Sequence, residues 1–306
     1  MDRTKTGEYR TMIYLERFHL PSQDWEEDYL HWDVKMKMTC YGYPYPFKIF
    51  SQKGLSGLNF APITVLYGGN GSGKTTLLNV IAQRLEAVRG TFFNRSPFFD
   101  DFASACEARM NRGARTDNIQ MITSDDVFDY VLDIRAMNEG IDRRRETLME
   151  DFWNRKNYLS HNHVSFKMRS LDDYEELKAH NEAKRQTPSA YVNDHVMHNL
   201  PERSNGESAF LYFTEHIKEN GIYLLDEPEN SLAAGLQIKL AEFIADSARF
   251  FGCQFIIATH SPFLLSMAGA KVYDLDAVPV CERKWTELEN MKVYAEFFMG
   301  HWLRYG

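Results

Sequence analysis

Gly68-Gly69-Asn70-Gly71-Ser72-Gly73-Lys74-Thr75 fits the pattern G-x-x-x-x-G-K-[ST] of a phosphate-binding loop. Glycines let the backbone turn sharply and bring its N–H groups close to a polyphosphate. Lys74 has the reach for β and γ phosphates, and the Thr75 hydroxyl is suited to Mg2+. The flanks supply the context the pattern needs. Ile63-Thr64-Val65-Leu66-Tyr67 reads as a buried strand, and Thr76-Leu77-Leu78-Asn79-Val80-Ile81-Ala82 as a helix. The bland alternative, a glycine-rich loop with a stray lysine, does not explain this strand–loop–helix order.

A chain of 306 residues can bury a sizeable core. Its 44% apolar and 25% charged residues are ordinary for a globular protein, while 14% aromatic residues is high and points to bulky packing. A net charge of −8 argues against a surface coated with nucleic-acid contacts but leaves room for a local basic groove. No apolar run follows the charged first residues, and no stretch approaches membrane-span length. The expectation is a cytoplasmic protein with no membrane partner. Cys40, Cys106, Cys253 and Cys281 lie far apart without a C-x-x-C pair, which suits core filling in a reducing compartment.

Along the chain, Met12–Leu15 and Phe47–Phe50 read as strands and Tyr41–Pro46 as a turn. Residues 95–200 are richer in charge, with helical stretches such as Asp142 to Arg155, and read as a helical insertion lobe between halves at 1–94 and 201–306. From Gly221 on, strand and helix signals alternate: Gly221–Leu225 is a strand, Leu232–Phe251 a helix and Phe255–Ala258 a strand. Such alternation predicts parallel pairing with helical crossovers. The predicted fold class is α/β, a P-loop NTPase core with a mainly parallel sheet, N-terminal antiparallel strands and a helical insertion.

Asp226 and Glu227 end the apolar strand of Leu224-Leu225-Asp226-Glu227-Pro228-Glu229. Both belong at the carboxyl edge of the sheet, where such folds hold their ligand. Asp226 is placed to bind Mg2+ directly or through water, and Glu227 to polarise an attacking water. Alone, an acidic pair after a strand is usually a solvated loop; the upstream loop changes that balance. His260, in Ile256-Ile257-Ala258-Thr259-His260-Ser261-Pro262, ends the next strand, and its imidazole can hydrogen-bond a γ-phosphate or the water. Ser204, Gly206 and Glu207 open a helix whose N-terminus is a natural phosphate cradle. Ser204 with Glu207 also satisfies an ordinary S-x-x-E capping box.

The order P-loop, S-x-G-E, strand-D-E-P, strand-T-H resembles that of the ABC-class ATPases, and within them the SMC, RecF and OLD-like group more than transporter subunits. Ser204-Asn205-Gly206-Glu207-Ser208 looks like that group's signature, and Ala258-Thr259-His260-Ser261-Pro262-Phe263-Leu264-Leu265 like its switch. Compact bacterial ATPases with similar "Y-L-L-D-E-P-E" and "Q-F-I-I-A-T-H-S-P" stretches include subunits of anti-phage systems. The resemblance covers about residues 12–85 and 200–280. It implies ATP and Mg2+ as cofactors, with Gly68, Asn70, Gly71, Ser72, Gly73, Lys74, Thr75 and Thr76 binding the nucleotide, Thr75 and Asp226 the metal, and Glu227 and His260 catalytic. It also implies a head-to-tail homodimer in which Ser204, Gly206 and Glu207 of one chain meet ATP on the other. Such a dimer would drive a larger complex as motor or switch, with a separate effector protein and room for DNA. Two departures stand out. Ala233 occupies a position where the family often carries aspartate, and the Mg2+-sensing glutamine has three candidates, Gln120, Asp125 and Asp126.

Other features are discounted. His161-Asn162-His163 spells H-N-H but lacks the spread of the nuclease unit, and Arg143-Arg144-Arg145 reads first as a solvated helix face, with a DNA or partner contact as the lesser alternative, resting on charge alone. No N-K-x-D motif is present, which speaks against a GTPase. The main rival to an ATPase is an ATP-binding scaffold that scarcely hydrolyses and holds a partner nuclease or toxin. A transporter ATPase is a third reading, disfavoured by the signature and switch sequences.

Overall fold

The computed structural model describes residues 12–38, 44–162 and 204–305, together with Thr187, Val192 and Val196. The chain forms two compact units, Met1–Phe128 with Asn205–Gly306, and Asp129–Ser204. The strands are β1 (Leu15–His19), β2 (Gly57–Asn59), β3 (Ile63–Tyr67), β4 (Val88–Arg89), β5 (Glu107–Met110), β6 (Ile119–Thr123), β7 (Ile222–Asp226), β8 (Gln254–Ala258), β9 (Lys271–Asp274) and β10 (Cys281–Glu282). The helices are α1 (Gln23–Trp32), α2 (Val34–Met38), α3 (Lys74–Arg84), α4 (Phe99–Ala105), α5 (Ser124–Asn162), α6 (Asn205–His216), α7 (Ala234–Phe250), α8 (Pro262–Leu265) and α9 (Glu289–Tyr305).

In the first unit the main sheet runs β10-β9-β3-β8-β7-β6-β4. Neighbours are parallel except β10, which is antiparallel to β9. A sheet covered on both faces needs strands apolar at every position, and β3, β7 and β8 are buried at all five residues each. Their side chains divide by parity. Leu66, Leu224 and Ile256 join one core with Leu77 and Ile81 of α3 and Phe99 and Phe102 of α4. Val65, Leu225 and Ile257 join the other with Phe213 of α6, Ile244 of α7 and Leu264 of α8. The aromatic richness is concentrated in the first core, where Phe47 meets Trp25 at 5.9 Å and Phe102 at 5.1 Å between ring centroids. Cys106 and Cys253 are buried and unbridged, and burial pushes the Cys253 thiol up to about 11.

A second, antiparallel sheet runs β2-β1-β5. Buried Gln254 latches it to the main sheet: Oε1 accepts from Tyr14 N–H and Leu15 N–H, both at 2.8 Å, and Nε2 donates to the Leu15 carbonyl at 2.9 Å. This corrects the expected Met12–Leu15 strand: the Ile13 carbonyl accepts from Asn111 Nδ2 at 3.0 Å and the ladder begins only at Leu15, running on to His19. The expected Phe47–Phe50 strand is a turn running into a 3-10 turn, Ser51–Lys53. Lys48 takes a left-handed φ of 65°, and Phe47 and Phe50, three apart, are both buried on the inside of the turn. Of the turn read over 41–46, residues 41–43 lie outside the described residues.

The lobe read over residues 95–200 overlaps the second unit only from Asp129, because β5 pairs with β1 and β6 with β7. Within that second unit, Leu148, Phe152 and Val192 form a small cluster with Met149 and Val196 against it. Arg143 pairs with Glu139, and Arg145 with Asp142 at 3.1 Å, as a solvated helix face does. His161 and Asn162 close α5, and His163 lies outside the described residues. No helix among the described residues is long and apolar enough to cross a membrane.

Candidate nucleotide site

The loop between β3 and α3 turns through Gly71 and Gly73, with φ of 80° and 97°, a region L side chains rarely adopt. A Cβ on Gly73 would lie 3.2 Å from Ile49 Cγ2. Gly73 is also the N-cap of α3 and provides no side-chain acceptor, so the first-turn N–H groups are left for an anion. The Ser72 hydroxyl is buried without a hydrogen-bond partner among the described residues. An uncapped helix start and an orphaned hydroxyl fit a polyphosphate.

Lys74 is 4% exposed. Its Nζ donates to the Gly68 carbonyl at 2.7 Å and the Gly69 carbonyl at 3.2 Å, and lies 2.9 Å from His260 Nε2. Which ring nitrogen carries the proton sets the direction of that contact. Burial holds the Lys74 ammonium below the ordinary lysine range, against the pull of Glu227 and Asp226.

The sheet order explains why these groups meet. β8 lies between β3 and β7, so a residue just past β8 faces both the P-loop and the end of β7. His260 does so, with Nε2 3.5 Å from Glu227 Oε1. Glu227 has a left-handed φ of 47°; its N–H donates to the Ala258 carbonyl at 2.9 Å, and its Oε2 accepts from Asn230 Nδ2 at 3.1 Å. Strained non-glycine backbone of this kind gathers at functional sites. Asp226 accepts from Thr75 Oγ1 at 3.0 Å, and burial pushes its carboxyl up to about 6 against that hydrogen bond.

A cavity of roughly 500 Å3 opens beside this pair, lined among others by Tyr45, Thr75, Thr76, Arg89, Asp125 and Asp226. Tyr45 OH donates to Thr76 Oγ1 at 3.0 Å. Of the three candidates for a Mg2+-sensing residue, Asp125 lines this cavity. Gln120 instead donates to Asn118 Oδ1 at 3.0 Å, and Asp126 accepts from Thr123 N–H at 2.7 Å. Among the described residues no group of three or more His, Cys, Asp or Glu is set to hold a metal. The two side chains Thr75 and Asp226 suit Mg2+, which takes few protein ligands and completes its shell with phosphate oxygens and water.

Asn70 and Gly71 are exposed at the tip of the loop. Gly206 and Glu207 sit in the first turn of α6, with Ser204 just before it. A Cβ on Gly206 would lie 2.8 Å from Leu236 Cδ1 and 3.2 Å from the Ser231 carbonyl, so this turn packs on the segment entering α7. One chain therefore unites Lys74, Thr75, Asp226, Glu227 and His260, and packs Gly206 elsewhere.

Glu229, in the D-E-P-E stretch, has no role readable from the sequence. In the structure its Oε1 accepts from His260 N–H at 2.6 Å and Ser261 N–H at 3.1 Å, fixing the switch loop. Gln237 of α7 adds to this: Oε1 accepts from Ser261 Oγ at 2.7 Å and Nε2 donates to the Leu232 carbonyl at 2.8 Å. A side chain bonded to backbone leaves no spacing to find; a second carboxylate two residues past Glu227 was the only signal.

Ala233 is the N-cap of α7, with φ −65°, ψ 156° and no side-chain cap. Ala233→Asp places an acceptor where the backbone already has cap geometry. We expect a gain of about 0.5–2 kcal/mol, read as a higher urea midpoint at unchanged slope. An unchanged midpoint would show that a side-chain acceptor adds nothing at this helix start.

No curated protein matches the chain. Among solved structures, an ABC transporter assigned to the metal-chelate type, in an inward-facing conformation, is 19% identical with TM-score 0.36, over 77% of each chain. An SMC head domain from Pyrococcus furiosus, bound to the C-terminal domain of ScpA, is 13% identical with TM-score 0.36, over 79% of this chain and 94% of that one. An SMC head bound to the winged-helix domain of ScpA is 14% identical with TM-score 0.36, over 76% and 93%. A family model for an AAA domain of the AbiEii-toxin, type IV TA system kind matches residues 196–266, a span that holds Gly206, Asp226, Glu227 and His260. The model for the ABC transporter family matches residues 57–230, more than half of the chain and both the Gly68–Thr75 loop and the end of β7, and on that match the chain belongs to the ABC transporter family of P-loop ATPases.

Proposed function

We propose that the chain is a Mg2+-dependent ATPase, with the triphosphate on the N-terminus of α3 and the reacting γ-phosphate between Lys74, Glu227 and His260. The observation that carries this reading is the meeting of polar side chains from three strand ends in two groups, Thr75–Asp226 at 3.0 Å and Lys74–His260–Glu227 at 2.9 and 3.5 Å, held side by side because Lys74-Thr75 and Asp226-Glu227 are adjacent in the chain. Lys74 exchanges its loop carbonyls for phosphate oxygens, which ends its contact with His260 and frees Nε2. Thr75 and Asp226 would hold Mg2+, which supplies charge neutralisation at the phosphates. Glu227 takes a proton from the attacking water as its oxygen bonds the γ-phosphorus and the bond to the ADP oxygen breaks. His260 holds the water or the γ-phosphate in line.

The packing of Gly206 on the segment entering α7, instead of on Lys74, supports a head-to-tail dimer in which Ser204, Gly206 and Glu207 of a second copy cover the nucleotide. In this reading the dimer acts as motor or switch for a separate effector, in DNA-related work or phage defence. A second reading, an ATP-bound scaffold that restrains a nuclease or toxin, draws on the uncapped Ala233 and on the AbiEii-type match.

Phosphate release separates them. The first reading expects release that requires Mg2+, stops with EDTA and disappears in Lys74→Ala. Tight ATP binding without release favours the scaffold, and absence of binding rejects both.

A further inference from the structure

Two residues outside every nucleotide motif grip the P-loop. Asp276, just past β9, accepts from Gly69 N–H through Oδ2 at 2.6 Å. Its own N–H donates to Asp274 Oδ1 at 3.0 Å, and buried Asp274 pairs with Arg283 at 3.4 Å. Lys53 approaches the same loop from the 3-10 turn Ser51–Lys53. Its Nζ donates to the Ser72 carbonyl at 2.7 Å and to the Leu275 carbonyl at 2.8 Å. Leu275 N–H donates to the Tyr67 carbonyl at 2.8 Å, and Val280 N–H to the Lys53 carbonyl at 3.0 Å. The segment after β9 thus reaches the loop twice, directly through Asp276 and by way of Lys53.

The two contacts bracket the loop's own internal hydrogen bond, Ser72 N–H to the Gly69 carbonyl at 3.1 Å. A stretch with glycine at 68, 69, 71 and 73 loses much backbone entropy on ordering, which its own bonds, Ser72 N–H to the Gly69 carbonyl and Lys74 Nζ to the Gly68 and Gly69 carbonyls, offset only in part. Both external contacts involve a charged partner, the stronger class of hydrogen bond. A carboxylate beside a polyphosphate site carries an electrostatic penalty. Asp276 therefore needs a positional benefit to be useful there, and its hydrogen bond to Gly69 supplies one.

We infer that Asp276 and Lys53 are positioning residues that set the P-loop for a triphosphate before the nucleotide arrives, acting through Gly69 N–H and the Ser72 carbonyl. The consequence for ATP rests on the ATPase reading; the ordering of the loop does not. The experiment uses the full chain and four variants: Asp276→Ala and Lys53→Met, which delete the contacts, and Asp276→Asn and Lys53→Arg, which keep an acceptor and a donor. Amide hydrogen exchange of the loop is followed without nucleotide, and then KM and kcat for ATP are measured.

The expected result is about tenfold faster exchange in the Ala and Met variants, the effect of losing one charged hydrogen bond. KM should rise by a similar factor with kcat unchanged, and Asn and Arg should restore most of both. Unchanged exchange in both deletion variants overturns the inference, whatever ATP does. A lower KM in Asp276→Ala also overturns it, showing a competing anion rather than a brace. Should the wild type ignore ATP, the ATPase reading fails, while the exchange data still decide whether the loop is braced.

Discussion

Glu227→Gln is expected to lower phosphate release by about 100- to 10,000-fold, the range for loss of a positioned general base, and to leave ATP binding intact. Glutamine keeps the size of glutamate and an oxygen for Asn230 Nδ2, which holds Oε2 at 3.1 Å. The left-handed backbone at φ 47° and the N–H bond to the Ala258 carbonyl do not depend on charge, so the fold should tolerate the change. What disappears is the carboxylate beside His260, the proton acceptor of the proposed mechanism. Binding without turnover should also trap the ATP-bound assembly, and size-exclusion chromatography with ATP and Mg2+ should show it as a dimer. Single-turnover phosphate release is the decisive measurement. A variant as fast as wild type would transfer the base role to His260, 3.5 Å away.

Asp226→Asn is expected to make the nucleotide-free protein more stable above pH 6 while removing Mg2+-dependent turnover. Burial raises the folded-state value of this carboxyl from 3.8 to about 6. The folded protein therefore binds the proton more tightly than the unfolded chain does. That advantage is complete below about pH 4 and is lost as pH rises through 6, leaving a burden of roughly 3 kcal/mol at neutral pH. Asparagine carries no such burden and still accepts from Thr75 Oγ1. Urea unfolding of wild type and variant at several pH values should give stabilities that converge below about pH 4, separate as pH rises from 4 to 6, and keep a steady gap above 6. A gap that stays constant across this whole range would mean that burial of charge at Asp226 is not its source. Activity given up for stability at a binding residue is a common trade.

Much of the core was legible because burial on both faces leaves a strong mark. Ile63–Tyr67 and Phe255–Ala258 are short continuous apolar runs next to motif residues, and both are strands of the main sheet. Lys74, Asp226, Glu227 and His260 were legible because each ends such a run or follows it closely. Phe47–Phe50 misled because two buried aromatics three apart mimic an apolar run, whereas the chain turns between them. Lys53, Glu229, Gln237 and Asp276 were not legible as site residues. They bond to backbone groups or to one another's loops across 19 to more than 200 positions, and no local spacing records that. The strand order was equally hidden: alternation announces parallel pairing but not that β8 enters between β3 and β7.

That insertion has a consequence for biogenesis. β3 and β7 are never hydrogen-bonded to each other; each pairs with β8, which emerges from the ribosome almost last among the core strands. Until Gln254–Ala258 has been made, β3 and β7 each present an open edge, and exposed edges template intermolecular pairing. The nascent chain must keep β3, which carries the P-loop and whose partners β8 and β9 both come later, apart from the β4-β6-β7 strands that carry the acidic pair, and join them late. Long-range closure of this sort is slow, and it lengthens the time during which the unpaired edges are open to aggregation.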